Sequence, residues 1–230
     1  MRVGSLFTGI GGIDLGLERA GMTVAWQAEI DPYCCQVLAK HWPDVPNLGN
    51  VTSIDWEDVE RVDVICGGYP CQPFSVAGTR HGESDPRHLW PHMRDAIRVL
   101  RPRWALLENV AGHLSLGFGR VLGDLAEIGY NAQWDCIPAA AVGAPHRRDR
   151  VFVVAYPNGK SEPGLPNNAT APRKLVPNPG ERWAAEPDVG RVAYGVPNRV
   201  DRLRALGNAV VPQVAEHLGN LIMKADRCPL

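Results

Sequence analysis

Lysine is scarce in this sequence, and long apolar runs are missing. Only four of the 24 cationic residues are lysine, so the other 20 are arginine, the side chain suited to bidentate contacts with phosphate groups and guanine. A genome rich in G and C would also favour arginine codons, so this bias permits a nucleic-acid ligand without demonstrating one. No apolar stretch approaches the roughly 18 residues of a membrane span, and we expect no membrane-spanning segment.

Paired metal-binding motifs are missing as well. The six cysteines include no Cys-x-x-Cys pair that could complete a zinc site with a histidine pair such as His88-x-x-x-His92, so the sequence predicts reduced thiols and no metal site. Residues 1–12 carry one basic residue and then glycines, where a signal peptide would have an apolar core. We therefore expect a cytoplasmic protein.

The length of 230 residues allows one α/β domain with a modest insertion. Apolar runs, glycine turns and amphipathic segments alternate along the chain. They predict strands at residues 3–7, 23–30, 62–66, 104–110 and 151–156, and helices at residues 13–20, from 31 onward, 88–100, 120–128 and 212–223. This alternation is typical of a Rossmann-like α/β fold with a doubly wound, mostly parallel sheet.

One segment departs from this alternation. Residues 158–199 are rich in proline, glycine and asparagine and have no apolar periodicity. We interpret them as a loop-rich insertion. Residues 1–157 and 200–230 would then form a single domain around it.

The residues that follow the first two predicted strands indicate a ligand, because open parallel sheets bind ligands at the carboxyl ends of their strands. Gly9, Gly11 and Gly12 allow close approach to the backbone. Glu29 stands 20 residues beyond Gly9, where a carboxylate can accept hydrogen bonds from ribose hydroxyls. This combination favours an adenosine-containing cofactor, although a glycine turn can also form nothing more than a tight corner. Asp14 stands where the dinucleotide fingerprint needs its third glycine, which disfavours NAD.

Two later residues are candidates for chemistry. Cys71 lies between Pro70 and Pro73, where a thiol near a helix start would have a lowered pKa and an exposed thiolate. We expect a nucleophile there and small buried side chains at the other cysteines. Glu108 follows an apolar strand, where a carboxylate must be paired or protonated. It is either a catalytic acid or a helix cap.

Arg148 and Arg150 stand at the start of the strand predicted at residues 151–156. Alternate residues of a strand share one face, so we expect their guanidinium groups to lie together. Such a pair suits an anionic or carbonyl ligand. Considered alone, it is more often a solvated edge or a phosphate clamp.

These motifs follow one another along the chain in an order that resembles that of the C5 cytosine DNA methyltransferase family. The resemblance spans residues 1–156 and 200–225 and rests on six segments. They are Ser5-Leu6-Phe7-Thr8-Gly9-Ile10-Gly11-Gly12, Glu29, Gly68-Tyr69-Pro70-Cys71-Gln72-Pro73-Phe74-Ser75, Glu108-Asn109-Val110, Arg148-x-Arg150 and Gly207-Asn208-Ala209-Val210-Val211-Pro212.

The resemblance implies a methyl transfer from S-adenosylmethionine to carbon 5 of a cytosine flipped out of double-stranded DNA. The implied catalytic residues are Cys71, Pro70, Glu108, Arg148 and Arg150. The implied cofactor-binding residues are Phe7, Gly9, Gly11, Gly12, Glu29, Ile30, Asn50, Val51, Gly68, Asn208, Ala209 and Val210. The expected DNA contacts are Gln72, Ser75, Arg182, Trp183, Arg191 and Arg199.

The chain departs from the family pattern at three places. Asn50-Val51 stands where members usually carry an acidic residue against the adenine. Tyr69 replaces a common proline beside the nucleophile. Members also carry a longer recognition region, followed by an arginine- and leucine-bearing helix, where this chain has the loop-like residues 158–199, so the resemblance leaves sequence specificity open.

Three other functions compete with this interpretation. An RNA cytosine methyltransferase of the same fold would carry a Cys-Phe-Thr signature, which is absent from this sequence. A nucleic-acid-binding module with decayed catalysis conflicts with the retention of Cys71, Glu108, Arg148 and Arg150. An NAD-dependent oxidoreductase conflicts with the glycine spacing. We expect a monomer of a restriction-modification or phage type, with a cognate restriction endonuclease as a further partner.

Overall fold

The computed structural model describes residues 1–70, 89–115, 117–159 and 199–227. Within these ranges, six strands form one sheet and six α-helices pack around it. The strands are β1 Arg2–Leu6, β2 Thr23–Ala28, β3 Val64–Gly68, β4 Trp104–Val110, β5 Tyr130–Pro138 and β6 Asp149–Pro157. The helices are α1 Gly12–Arg19, α2 Pro32–His41, α3 Trp90–Leu100, α4 Phe118–Glu127, α5 Arg199–Asn208 and α6 Pro212–Arg227.

The strand order is β2-β1-β3-β4-β6-β5. Strands β1 to β4 are parallel to one another, whereas β6 runs antiparallel to both β4 and β5. This confirms the mostly parallel, doubly wound α/β sheet that the sequence predicts. The carboxyl ends of the first four strands therefore lie along one edge, where such sheets bind ligands.

Helices cover both faces of the sheet. On one face, Leu17 of α1 packs with Leu218 and Ile222 of α6, and on the other Met93 of α3 packs with Leu125 of α4. All five side chains are fully buried. Strand β4 is buried along six of its seven residues, which is why its first four, Trp104–Leu107, are all apolar.

Several predicted elements agree with the structure to within a few residues. Strand β4 occupies the predicted range, and α2 begins at Pro32 after Asp31, whose carboxylate accepts the N–H groups of Tyr33 and Cys34 as a helix cap. Strand β5 was missed, although the alternation of apolar and polar residues in Tyr130–Pro138 is typical of a half-buried strand.

Helix α5 was also missed. The sequence comparison with the family suggested that the arginine- and leucine-bearing helix was lacking, and this was wrong, because Arg199–Asn208 is helical and carries Arg202, Leu203, Arg204 and Leu206. The predicted insertion, residues 158–199, lies almost wholly outside the described residues. No helix in the described ranges is both long and apolar enough to cross a membrane.

Candidate active site

A cleft of about 560 Å³ opens at the carboxyl edge of the sheet. It lies where β1, β2, β3 and β4 end and where α5 and the segment after it cross the sheet edge. Its described walls are Phe7, Thr8, Gly9, Gly12, Ile13, Glu29, Asp31, Cys34, Gly68, Tyr69, Pro70, Leu89, Glu108, Asn109, Val110, Arg150, Arg204, Ala205, Asn208, Ala209 and Val210.

The turn after β1 has an unusual backbone. Phe7, Gly9 and Gly11 have φ angles of 52°, 58° and 80°, and a left-handed bulky residue such as Phe7 is rare outside functional turns. Gly11 also has no room for a side chain, because a Cβ atom would lie 2.5 Å from the Trp42 ring. The turn therefore bends tightly enough to expose its backbone to the cleft.

Glu29 is held against this turn by backbone donors. Its Oε2 accepts the N–H of Gly9 at 2.7 Å, and its Oε1 accepts the N–H groups of Ile30 and Asp31 at 2.8 Å each. A carboxylate has about four acceptor positions, so these three bonds fix Glu29 and leave room for one further donor. Ile30 beside it is 65% exposed and offers an apolar surface at the rim.

An ion pair spans the mouth of the cleft. Arg204 of α5 contacts the carboxylate of Asp31, the cap of α2. The hydrogen bond from the Cys34 backbone, and then the charge of Arg204, lower the pKa of Asp31. Neither residue was among the predicted site residues; Asp31 before Pro32 signalled only a helix start, and Arg204 carried no signal of its own.

The segment after α5 packs closely on the start of α1. A Cβ atom at Gly12 would lie 2.4 Å from the carbonyl oxygen of Val210. Arg148 holds the same segment from the other side, since its Nη2 donates to the carbonyl oxygens of Gly207 at 2.7 Å and Ala209 at 2.5 Å. Arg148 thus anchors the closing segment to the sheet.

Arg148 and Arg150 do not share a strand face as predicted. Strand β6 begins at Asp149, and Arg148 precedes it with a left-handed φ of 40°, so strand alternation does not apply to it. Arg150 lines the cleft, whereas Arg148 is absent from the described cleft walls. Both guanidinium charges nevertheless act on the pKa of Glu108.

Glu108 is the buried acid of the cleft. Its side chain is 8% exposed, and its Oε1 lies 3.0 Å from Nε of Arg150. Burial raises the pKa of Glu108 to about 7, against the opposing charges of Arg150 and Arg148. The ion pair by itself would keep the carboxyl ionised. Burial outweighs it, so Glu108 can hold a proton near neutral pH and donate it.

The end of β3 is shaped around Glu108. Gly68 pairs with Glu108 in the parallel ladder, and a Cβ atom at Gly68 would lie 2.6 Å from the carboxyl oxygen Oε2. Only glycine leaves this space. The chain then continues through Tyr69 to Pro70 on the cleft wall and returns to it at Leu89.

The structure brings most of the predicted residues together, with exceptions. Of the predicted residues that the structure describes, Gly11, Ile30, Asn50, Val51, Arg148 and Arg199 do not line the cleft. Asn50 caps a short 3-10 helix at Val51–Ser53, and Val51 is buried in the core. Cys71, Gln72, Ser75, Arg182, Trp183 and Arg191 lie outside the described residues, and Arg199 is the first residue of α5.

Metal-binding side chains do not cluster in the described ranges. No group of three or more histidine, cysteine, aspartate or glutamate residues there could hold a metal ion.

The model of the family described as C-5 cytosine-specific DNA methylase matches residues 1–180. The type II methyltransferase M.AquIA of Picosynechococcus sp. is 34% identical over 181 residues, which are 68% of this chain and 72% of that protein. The type II methyltransferase M.NgoMIV of Neisseria gonorrhoeae is 39% identical over 158 residues, which are 65% of this chain and 50% of that protein.

Two solved structures are similar as well. One, described as a DNA modification methyltransferase encoded within an E. coli prophage, has a TM-score of 0.57 at 27% identity and covers 68% of this chain. A mutant of Spodoptera frugiperda DNMT2 has a TM-score of 0.62 at 23% identity and covers 73%, a likeness of fold alone. This chain spans 47% and 53% of those two chains and about half of M.NgoMIV.

The fold therefore places this chain in the Rossmann-like methyltransferase class. Within that class, it belongs to the C-5 cytosine-specific DNA methylase family. This confirms the family inferred from the order of motifs.

Proposed function

We propose that this chain transfers a methyl group from S-adenosylmethionine to carbon 5 of a cytosine flipped out of double-stranded DNA, with Cys71 as the nucleophile. The observation that carries the proposal is the buried carboxyl of Glu108, with its pKa near 7. It shares one cleft with the glycine turn and with Pro70, the residue before Cys71. A proton donor and a cofactor cleft thus lie at the residue that precedes the proposed nucleophile in the sequence.

The chemistry explains why these groups are needed together. Carbon 5 of cytosine is a poor nucleophile, so the Cys71 thiolate first adds to carbon 6, and the new C–S bond makes carbon 5 electron-rich. Glu108 protonates or hydrogen-bonds N3 of the ring, which favours that addition. Once carbon 5 has taken the methyl group, the donor would leave as its neutral thioether. Loss of the carbon 5 proton to solvent would then expel the thiolate and restore the double bond, and the N3 proton would return to Glu108.

The cleft walls fit S-adenosylmethionine. The volume of the cleft, about 560 Å³, is within the usual range of small-molecule sites. Glu29 keeps acceptor capacity for a ribose hydroxyl, and Phe7 provides apolar surface for the adenine. Ile30 is exposed beside Glu29 and outside the cleft wall, and we propose that it adds to that apolar surface. The backbone at Gly9 and the segment 208–210 close around the remainder. When bound, this cofactor supplies an electrophilic methyl group.

The target base must leave the duplex, because carbon 6 is inaccessible in stacked DNA. Arg150 lines the cleft beside Glu108 and is suited to hold the base carbonyl. Arg148 would act through the closing segment that it anchors. The proposed DNA contacts remain Gln72, Ser75, Arg182, Trp183, Arg191 and Arg199.

The cellular setting follows from the relatives. Several of them are named type II methyltransferases, so we propose a restriction-modification setting in the cytoplasm, with a cognate endonuclease as a partner. We propose that the enzyme acts as a monomer.

The test is transfer of radiolabel from methyl-labelled S-adenosylmethionine to unmethylated DNA of mixed sequence, followed by nucleoside analysis. Wild-type protein should place label in 5-methylcytosine, and Cys71→Ser should lose it. Cys136→Ser is the matched control, because Cys136 is a free, partly buried thiol on β5, away from the cleft walls. Label on transfer RNA instead of DNA, or cofactor binding without any transfer, would overturn the proposal.

A further inference from the structure

The side chain of Asn47 pairs with the backbone of Glu29 in the way that a neighbouring strand would. Its Oδ1 accepts the N–H of Glu29 at 3.0 Å, and its Nδ2 donates to the carbonyl oxygen of the same residue at 3.1 Å. Because one end of an amide accepts hydrogen bonds and the other end donates them, a flipped side chain would set like groups against each other at Glu29. The pairing therefore has one orientation.

This pairing continues a backbone ladder at the edge of the sheet. Strand β2 is the edge strand of the described sheet. Its outer side is paired at Gln27, whose N–H donates to the carbonyl oxygen of Pro46 at 2.9 Å and whose carbonyl oxygen accepts the N–H of Leu48 at 2.7 Å. Strand β2 ends just before Glu29. The amide of Asn47 thus extends the edge pairing to the residue that follows the strand.

Two further contacts hold the amide of Asn47 itself. Its Oδ1 also accepts the N–H of Gly49 at 3.1 Å, and its Nδ2 also donates to Sγ of Cys35 on α2 at 3.3 Å. Asn47 is an exposed residue, and the side chain of an exposed asparagine is ordinarily solvated. Here each of its two polar atoms instead makes two contacts within the protein, so the side chain is fixed.

The carboxylate of Glu29 needs this support, because two of its three donors move with it. Ile30 and Asp31 follow Glu29 directly, so their N–H groups cannot fix the turn relative to the sheet. The N–H of Gly9 ties the carboxylate to the glycine turn, and Asn47 ties the backbone of Glu29 to the edge of β2. A hydroxyl donates to a carboxylate at about 2.5–3.0 Å, so a shift of about 1 Å would remove such a bond.

We propose that Asn47 is a positioning residue for ribose recognition: by pairing with the backbone of Glu29, it places the carboxylate where it accepts a hydrogen bond from a hydroxyl of the adenosine ribose. The inference rests on the proposed function, because it takes an S-adenosyl compound as the ligand of the cleft. Asn47 does not line the cleft and acts through Glu29. Its loss should therefore weaken the binding of ligands that carry ribose hydroxyls and spare ligands that lack them.

The test is calorimetric binding, without DNA, of S-adenosylhomocysteine and of its 2′,3′-dideoxy analogue, which lacks both ribose hydroxyls. Wild-type protein should bind S-adenosylhomocysteine about 10- to 100-fold more tightly than the analogue, the usual worth of a hydrogen bond to an ionised group. Asn47→Ala should bind S-adenosylhomocysteine about 3- to 10-fold more weakly than wild type does, the usual worth of a neutral hydrogen bond. Its affinity for the analogue should stay within about twofold of wild type, because that ligand has no hydroxyl to offer Glu29. The control Asn131→Ala, at an exposed asparagine of β5, should match wild type with both ligands.

A second background separates positioning from a general structural defect. If Asn47 acts through the carboxylate of Glu29, Asn47→Ala should add no further loss of affinity to that of Glu29→Ala, since the two changes remove one interaction. Urea unfolding checks that each variant is folded under the conditions of the titration. If Asn47→Ala does not fold, Asn47→Asp takes its place. Aspartate keeps the acceptor but loses the donor to the Glu29 carbonyl, and the same selective loss is expected.

Four results would overturn the inference: equal weakening of both ligands by Asn47→Ala, weakening of neither, losses that add to those of Glu29→Ala, or a wild type that binds the two ligands equally. The last of these would mean that Glu29 does not recognise the ribose. The proposed function fails separately, when wild-type protein places no label in the 5-methylcytosine of DNA. A selective loss of S-adenosylhomocysteine binding in Asn47→Ala would still support the inference in that case.

Discussion

Replacing Glu108 with glutamine should remove a pH-dependent loss of stability. Below about pH 4.5, the ordinary pKa of the group, the carboxyl is protonated in the folded and unfolded states alike. Between pH 4.5 and about 7, the unfolded chain releases a proton that the folded protein keeps, so the free energy of unfolding falls as pH rises. The rise in pKa corresponds to about 3 kcal/mol, since one pH unit is worth ~1.36 kcal/mol.

Urea unfolding of the wild type and Glu108→Gln at pH 5, 6, 7 and 8 measures this effect. The difference in stability, wild type minus variant, should decrease by roughly 2–3 kcal/mol across the series, because pH 5 already lies above the unfolded pKa. Other titrating groups act equally on both proteins and cancel in the difference. A flat difference would refute the reasoning, and a difference that increases with pH would show that the ion pair with Arg150 outweighs burial.

The same variant tests the catalytic role of the carboxyl. Glutamine preserves the shape of Glu108 but cannot transfer a proton, so methyl transfer at pH 7 should fall by about 10² to 10⁴-fold. Binding of S-adenosylmethionine, followed by isothermal calorimetry, should remain unchanged. A variant with wild-type activity would exclude Glu108 as the proton donor.

Two further substitutions test the packing and the buried charge. Gly16→Ala should lower the free energy of unfolding by about 1–3 kcal/mol, because its Cβ would lie 2.4 Å from the Pro212 oxygen and 2.5 Å from Ala215 Cβ. The control Gly123→Ala has open space around it and should instead stabilise the protein by about 0.5–1 kcal/mol. Equal effects of the two substitutions in urea unfolding would refute the packing argument. Asp14 is fully buried, with a pKa raised to about 7 by that burial, so the difference in stability between the wild type and Asp14→Asn should fall by up to about 4 kcal/mol as pH rises from 4 to 8, the part of the wild-type decline that Asp14 itself causes. Asp14→Asn should lack this decline, and matching pH profiles would contradict it.

Much of the fold could be predicted because burial leaves a pattern in the sequence. Strand β4 is buried along six of its seven residues, and its first four, Trp104–Leu107, form an unbroken apolar run. Asp31 and Pro32 signal the start of α2, because a carboxylate cap and a proline both suit the first helical turn. These signals are local, so they can be recognised in the sequence without knowledge of the tertiary contacts.

Helix α5 could not be predicted in this way. The structure buries one of its residues, Ala205, while Val200, Leu203 and Leu206 are 61–78% exposed. A helix that turns little apolar surface inward lacks the periodicity by which helices are identified. Strand β5 differs from α5, because its alternation of apolar and polar residues is visible in the sequence. It could have been predicted from that pattern.

The sequence by itself determined which reactive groups this protein carries and in what order, since the motifs around Gly9, Cys71 and Glu108 are continuous segments that identify the family. Only the tertiary structure decided the surroundings of each group, and with them its pKa and its contacts. The pKa of Glu108 depends on burial and on Arg150, 42 positions further along the chain. Likewise, Arg148 and Arg150 are neighbours in sequence but have separate contacts. Desolvation and charge pairing act through space, between segments that only folding brings together.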